Sequence, residues 1–230
     1  MPQKYSLTNN DANSAIQALI LVLQKLKYRF CLAGSAACYC YGSTVIPTTI
    51  DVAILSPNIS EDTLKSRIVA KDPNFYLLLP SNPSEIYQTL FYWVTPNKDA
   101  GKRMYQPGRS YRPGRSYKVD FQFPQRMHIK AIPEDRIRNY NGHPLLPQIP
   151  LMMLQLQRWA KARTNAERAE ELAKAIIEML MVLKRKYPDI KLEEDGSWPH
   201  AAFISTGKRN VREFVKSYPD TRSQWVAIGL

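Results

Sequence analysis

Residues 30–55 constrain the fold of this chain more than any other stretch. Phe30-Cys31-Leu32-Ala33 is a short apolar run that stops at Gly34, which reads as a buried strand meeting a turn. Ser35 is placed to cap a following helix, and the small Ala36 and Ala37 let that helix start close to the strand. Free main-chain N–H groups at such a start form an anion site. Gly42 supplies a helix stop. Ile50 to Leu55 then reads as a second strand, with Asp51 set inside an apolar run. A carboxylate there is costly unless it meets a metal, a base or water. The ordinary alternative is a solvated acid at the end of a strand.

The rest of the chain alternates helix and strand signals. Asp11-Ala-Asn-Ser14 supplies helix-start residues, and Ile16, Leu19, Ile20, Leu23 and Leu26 recur at helical spacing. Ser60 opens a helix running to about Ala70, and Asp72-Pro-Asn breaks it. Phe75–Leu79 and the aromatic run Gln88–Thr95 read as strands. Lys118 to Phe123 alternates, with Val119, Phe121 and Phe123 on one face and Lys118, Asp120 and Gln122 on the other. A further strand is expected over Met127–Ile132, and a hairpin around Asn141-Gly142. After a proline-rich stretch, helices are expected over Leu151–Arg163 and Asn165–Lys186. Short ones follow over Asn210–Tyr218 and Thr221–Ala227, anchored by Phe214, Val215 and Trp225. The reading is an α/β (α+β) chain: a small mixed sheet flanked by helices over residues 1–147, then a helical part over 148–230.

Gly34-Ser35, the short helix, Asp51 on the next strand and Asp120 on a later one together resemble the nucleotidyltransferase superfamily. Its signature is Gly-Ser, a helix, an Asp-x-Asp pair and a third Asp. The resemblance places the paired acids at positions 49 and 51. This chain has Thr49 and Asp51. Asp51 and Asp120 are then the catalytic and metal-binding acids that the resemblance implies, with Mg²⁺ or Mn²⁺ as the ion and an NTP as ligand or substrate. Gly34 and Ser35 would cradle phosphate. The helix after Pro150 resembles one that carries a phosphate-facing Lys in the family. Gln155 holds that place here, and Arg158 or Lys161 one turn on could substitute. Two-metal phosphoryl transfer uses ions ~3.5–4 Å apart, and Mg²⁺ demands near-octahedral oxygen ligation. Thr49 offers only a neutral hydroxyl, so weak metal binding and a large loss of rate are expected.

Charge bears on the partner. The net charge is +12, and nearly all the excess lies after residue 97. That favours a polyanion such as nucleotide, RNA or another phosphate-rich partner. Tyr105-Gln-Pro-Gly-Arg-Ser110 is followed at once by Tyr111-Arg-Pro-Gly-Arg-Ser116. The repeat puts Arg109, Arg112 and Arg115, with Lys118 beyond, among interleaved tyrosines. Arginine forks suit phosphate and tyrosines stack on bases, which reads as a nucleic-acid-gripping flap. A slipped duplication in a solvated loop reads equally well. Three cysteines, Cys31, Cys38 and Cys40, and scattered histidines support neither a disulfide framework nor a zinc site. No apolar run approaches a membrane span and no signal segment is visible, so a cytoplasmic protein is expected.

Three functions follow as expectations. One is a degenerate nucleotidyltransferase-like protein binding a nucleotide or RNA in the interdomain cleft, with weak or lost NMP transfer. Another is an active Mg²⁺-dependent enzyme moving NMP from NTP to an acceptor. The last is a basic nucleic-acid-binding module with no cleft chemistry.

Overall fold

The computed structural model describes residues 7–57, 59–78, 88–94, 115–123, 129, 131–192 and 198–230. Helix α1 spans Asn9–Lys25 and begins two residues before the acidic and polar cluster at Asp11. Thr8 is its cap. The Thr8 hydroxyl accepts from the Asp11 N–H at 3.2 Å while Asp11 Oδ2 accepts from the Thr8 N–H at 2.9 Å, a reciprocal box that satisfies two orphan donors. Ala12, Ala15, Ile16, Leu19, Ile20 and Leu23 form its buried face, the helical period read from sequence.

Strand β1 (Phe30–Ala33) runs straight into α2 (Gly34–Tyr41), which Gly42 terminates at φ +110°. Then come β2 (Thr49–Ile54), α3 (Glu61–Lys71, capped by Ser60), β3 (Phe75–Leu78), β4 (Thr89–Trp93) and β5 (Ser116–Gln122). A hairpin of β6 (Arg138–Tyr140) and β7 (His143–Leu145) turns on Asn141 and Gly142 at φ +51° and +80°. These are the angles that made Asn-Gly a hairpin signal. The strands join one seven-stranded mixed sheet in the order β3-β4-β5-β2-β1-β7-β6. β2–β5 and β1–β7 are parallel and the other pairs antiparallel.

The helical part comprises α4 (Gln148–Ala162), α5 (Ala166–Lys186), α6 (Ala201–Ser217) and α7 (Arg222–Ala227). α4 starts three residues earlier than Leu151, with Pro150 in its first turn, where N–H groups have no helical partner to lose. Trp159 packs edge-on against Phe214 with centroids 4.9 Å apart, and Trp225 meets Phe214 at 6.0 Å. α6 extends nine residues upstream of the expected Asn210. The strand expected over Met127–Ile132 is not formed at Ile129 or at 131–132, and its other residues lie outside the described ones. A single apolar cluster runs from α1 and the sheet into α4, α5 and α6, crossing the position where the helical part begins. No helix among the described residues is long and apolar enough to cross a membrane.

The thiols are packing groups. Cys31 and Cys38 are buried and Cys40 half-buried, all unpaired. Burial pushes Cys31 and Cys40 up to about 12 and Cys38 to about 11, so none carries the thiolate a nucleophile or metal ligand needs.

One contact fixes the loop after α2. Glu178 of α5 accepts from Ser43 Oγ at 2.9 Å, from Thr44 Oγ1 at 2.7 Å and from the Thr44 N–H. Burial alone would raise the Glu178 carboxyl, but these bonds and the Val45 N–H hold it below the usual carboxylate range. A depressed acid contributes stability above its unfolded pKa and loses it as pH falls through the folded one. Glu178→Gln should therefore cost about 1 kcal/mol near neutral pH, with the difference shrinking below about pH 4.5. Urea unfolding at two pH values checks this; a cost that grows in acid would contradict it.

Candidate functional site

The site forms where β1 ends. Gly34 sits at φ +55°, a conformation that costs an L side chain about 1–2 kcal/mol. A Cβ there would lie 1.9 Å from Asp51 Oδ2 and 2.8 Å from Arg158 Nη1. Conformation and contact both demand glycine. Ser35 does not cap α2 as expected. Ala33 is the N-cap and makes no side-chain bond. Ser35 Oγ instead donates to the Thr49 carbonyl at 3.3 Å, tying the start of α2 to the start of β2.

The acids come together through strand register. In the parallel pair β2–β5, Asp51 stands opposite Asp120 and Thr49 opposite Lys118. Parallel strands lie about 4.8 Å apart, and alternate residues share a face. Thr49, Asp51, Lys118 and Asp120 therefore form one patch, while Ile50, Val52, Val119 and Phe121 are buried on the other face. The alternation read from Lys118 to Phe123 is the one observed.

Each acid already has a cation. Arg158 Nη1, from α4, donates to Asp51 Oδ2 at 3.0 Å. Lys118 Nζ lies 2.8 Å from Asp120 Oδ1 and 3.0 Å from Oδ2. Asp51 is closed in, with a side chain 2% exposed, and its Oδ1 has no hydrogen-bond partner among the described residues. Burial pushes the Asp51 carboxyl above its usual range; Arg158 pulls it back, the Asp120 charge pushes it up further, and the Ser35 N–H lowers it. Asp120 is 32% exposed and opens to solvent.

The remaining expected residues divide. Gln155 is buried in α4 and turns to α2, where its Nε2 donates to Cys38 Sγ at 3.6 Å. Arg158 reaches the acids instead. Arg115 pairs with Asp11 at 2.9 Å and so fastens the start of β5 to the cap of α1. Arg109 and Arg112 lie outside the described residues, as does most of the repeat. Glu61, at the start of α3, pairs with Lys65 at 2.7 Å. What the sequence reading missed is the double pairing. Lys118-x-Asp120 carried a signal, because residues two apart in a strand share a face. Asp51–Arg158 carried none, because the partners are 107 positions apart.

Whether these residues suit the divalent ions implied by the resemblance can be judged from the donors. Two ions would have to displace Lys118 and Arg158, and position 49 offers a hydroxyl. The orphaned Asp51 Oδ1 is shut away from water and cannot reach a hydrated ion in the cleft. Among the described residues there is no group of three or more His, Cys, Asp or Glu side chains able to hold a metal. The donor set as arranged does not fit a metal pair.

No protein-family model matches the sequence, and no curated protein matches it. Solved structures do resemble it. An antigenic nucleotidyltransferase-like protein from Paracoccidioides brasiliensis is 14% identical, with a TM-score of 0.64 over 96% of this chain and 94% of that one. The protein JHP933 from Helicobacter pylori is 13% identical, with a TM-score of 0.42 over 98% of this chain and all of its own, 100%. At 14% identity the first likeness is one of architecture, and the mixed sheet with its flanking helices agrees with it: the chain has a nucleotidyltransferase-like fold.

Proposed function

We propose that this chain is a degenerate nucleotidyltransferase-like protein that binds a nucleotide or RNA in the cleft between the sheet part (1–147) and the helical part (148–230), with NMP transfer weak or lost. The observation that carries the reading is the pair of cation–carboxylate contacts, 3.0 Å at Asp51 and 2.8 Å at Asp120. Two carboxylates facing a polyphosphate would repel it. Here Arg158 and Lys118 cancel that charge from within the chain, so phosphate can approach without an ion to neutralise the acids.

The parts then have simple roles. The start of α2 is closed in, with Gly34, Ala36 and Ala37 buried and the Ser35 N–H serving Asp51, so the donors open to phosphate oxygens are side chains. Arg158 is 40% exposed and Lys118 44%, so both side chains can offer donors to a ligand. Asp51 and Asp120 orient these cations.

Calorimetric titration with ATP, GTP and a short single-stranded RNA, with EDTA and again with Mg²⁺ or Mn²⁺, tests the proposal. Binding to at least one ligand should persist in EDTA, and Lys118→Ala should weaken it about tenfold, the worth of one charge-assisted contact. A parallel assay for transfer of radiolabelled nucleotide should give no product. Absence of binding for all three ligands would remove the proposal. Metal-dependent product would favour a working enzyme.

A further inference from the structure

Between α4 and α6 lies a cavity of about 800 Å³, which shares no lining residue with the acidic patch. The half-buried His200 ring, backed by Phe203 at a centroid distance of 6.3 Å, forms a wall with Ala160 and Ala202; Ile129 and Phe203 themselves are buried behind it. Lys161 and Arg209 place cations at its edge, and Asn210 adds a carboxamide. None of the described lining residues is an Asp or Glu. Neither cation pairs with an acid among the described residues, and Glu213, the acid on α6, is engaged by Lys216 at 2.6 Å and Arg163 at 3.7 Å.

Asn210 is the informative member. It is 8% exposed, yet its side chain makes no hydrogen bond among the described residues. Its amide N and O are not among the side-chain atoms cut off from solvent, so the group opens toward the cavity. Two uncompensated cations, an aromatic wall and an unused amide suit one kind of occupant. The volume falls within the roughly 300–1,000 Å³ typical of small-molecule sites. α4 serves both places: Arg158 faces the acids, and Lys161, three residues on, faces the cavity.

We propose that this cavity binds a small aromatic anion. The ring lies against His200, Ala160 and Ala202, the acid group sits between Lys161 and Arg209, and a polar edge meets Asn210. The site is independent of the nucleotide reading, because it uses neither the acids nor Gly34 and Ser35.

The test uses the full chain and 8-anilinonaphthalene-1-sulfonate, a fused-ring anion whose fluorescence rises on burial. One saturable site is expected. Lys161→Glu and Arg209→Glu should each weaken binding at least tenfold, and Lys161→Arg should retain it. Both side chains are exposed, so the thermal midpoint should not move, which separates lost binding from lost folding. No saturable binding, or charge-reversed variants that bind as the native chain does, would overturn the proposal. The probe has neither ribose nor polyphosphate, so its failure would leave the nucleotide proposal standing, and the converse also holds.

Discussion

Gly34→Ala should destabilise the protein by about 4 kcal/mol, a large share of the roughly 5–15 kcal/mol that holds a domain together. Two costs add. The left-handed backbone at φ +55° costs about 1–2 kcal/mol for any L side chain. The new methyl would also fall 1.9 Å from Asp51 Oδ2, inside any tolerable contact, and Asp51 has no room to swing because its side chain is 2% exposed. Relieving the overlap pushes the carboxylate off Arg158 and leaves a buried charge unpaired, worth about 2–3 kcal/mol with Arg158 itself 40% exposed. Gly142→Ala is the matched control. It too has positive φ, +80°, but no described residue lies within 4 Å of where a Cβ would stand, so only the conformational cost of about 1–2 kcal/mol should appear. Urea unfolding of the two variants distinguishes contact from conformation, and equal losses would show that the Asp51 contact contributes nothing.

Arg158→Ala is the second large effect. It removes the cation from a buried carboxylate, and the loss near neutral pH should be about 2–3 kcal/mol, reduced from the full buried-pair value because Arg158 is itself 40% exposed. Its pH dependence is diagnostic. Burial already holds the Asp51 carboxyl above its usual range, and losing Arg158 raises it further. A raised acid is fully favourable below its unfolded pKa and loses that advantage as pH rises through the folded value. The deficit should therefore be small near pH 4 and grow toward pH 8. Combining the change with Asp51→Asn removes the buried charge and should recover most of the loss. A deficit independent of pH, or one the double variant does not repair, would contradict the account of Asp51.

Local chemistry made much of this legible beforehand. Phe30–Ala33 stops where the sequence stops being apolar, Gly42 takes the left-handed stop, and Asn141-Gly142 makes its hairpin. The period of two from Lys118 to Gln122 put Asp120 on the open face, and register then set it beside Asp51. What escaped depended on docking. The short strand His143–Leu145 joins β1 through a single partner, Leu32↔Leu145, which no local signal announces. The first half of α6 contains Ser205, Thr206 and Gly207, weak helix formers that carry no local helix signal. Gly207 stays helical because α4 comes so close that a Cβ would meet Met153 Cγ at 2.8 Å, and tertiary contact overrides propensity. Ser35 failed as a cap for the opposite reason, because Gly34 turns the chain one residue sooner.

The Asp51–Arg158 contact fastens a sheet strand to the first helix of the C-terminal half, and the apolar core continues behind it. A mouth latched in this way has no hinge to swing about. Ligand capture should then be a single encounter: observed association rates rise linearly with concentration, without the plateau that a slow closing step imposes.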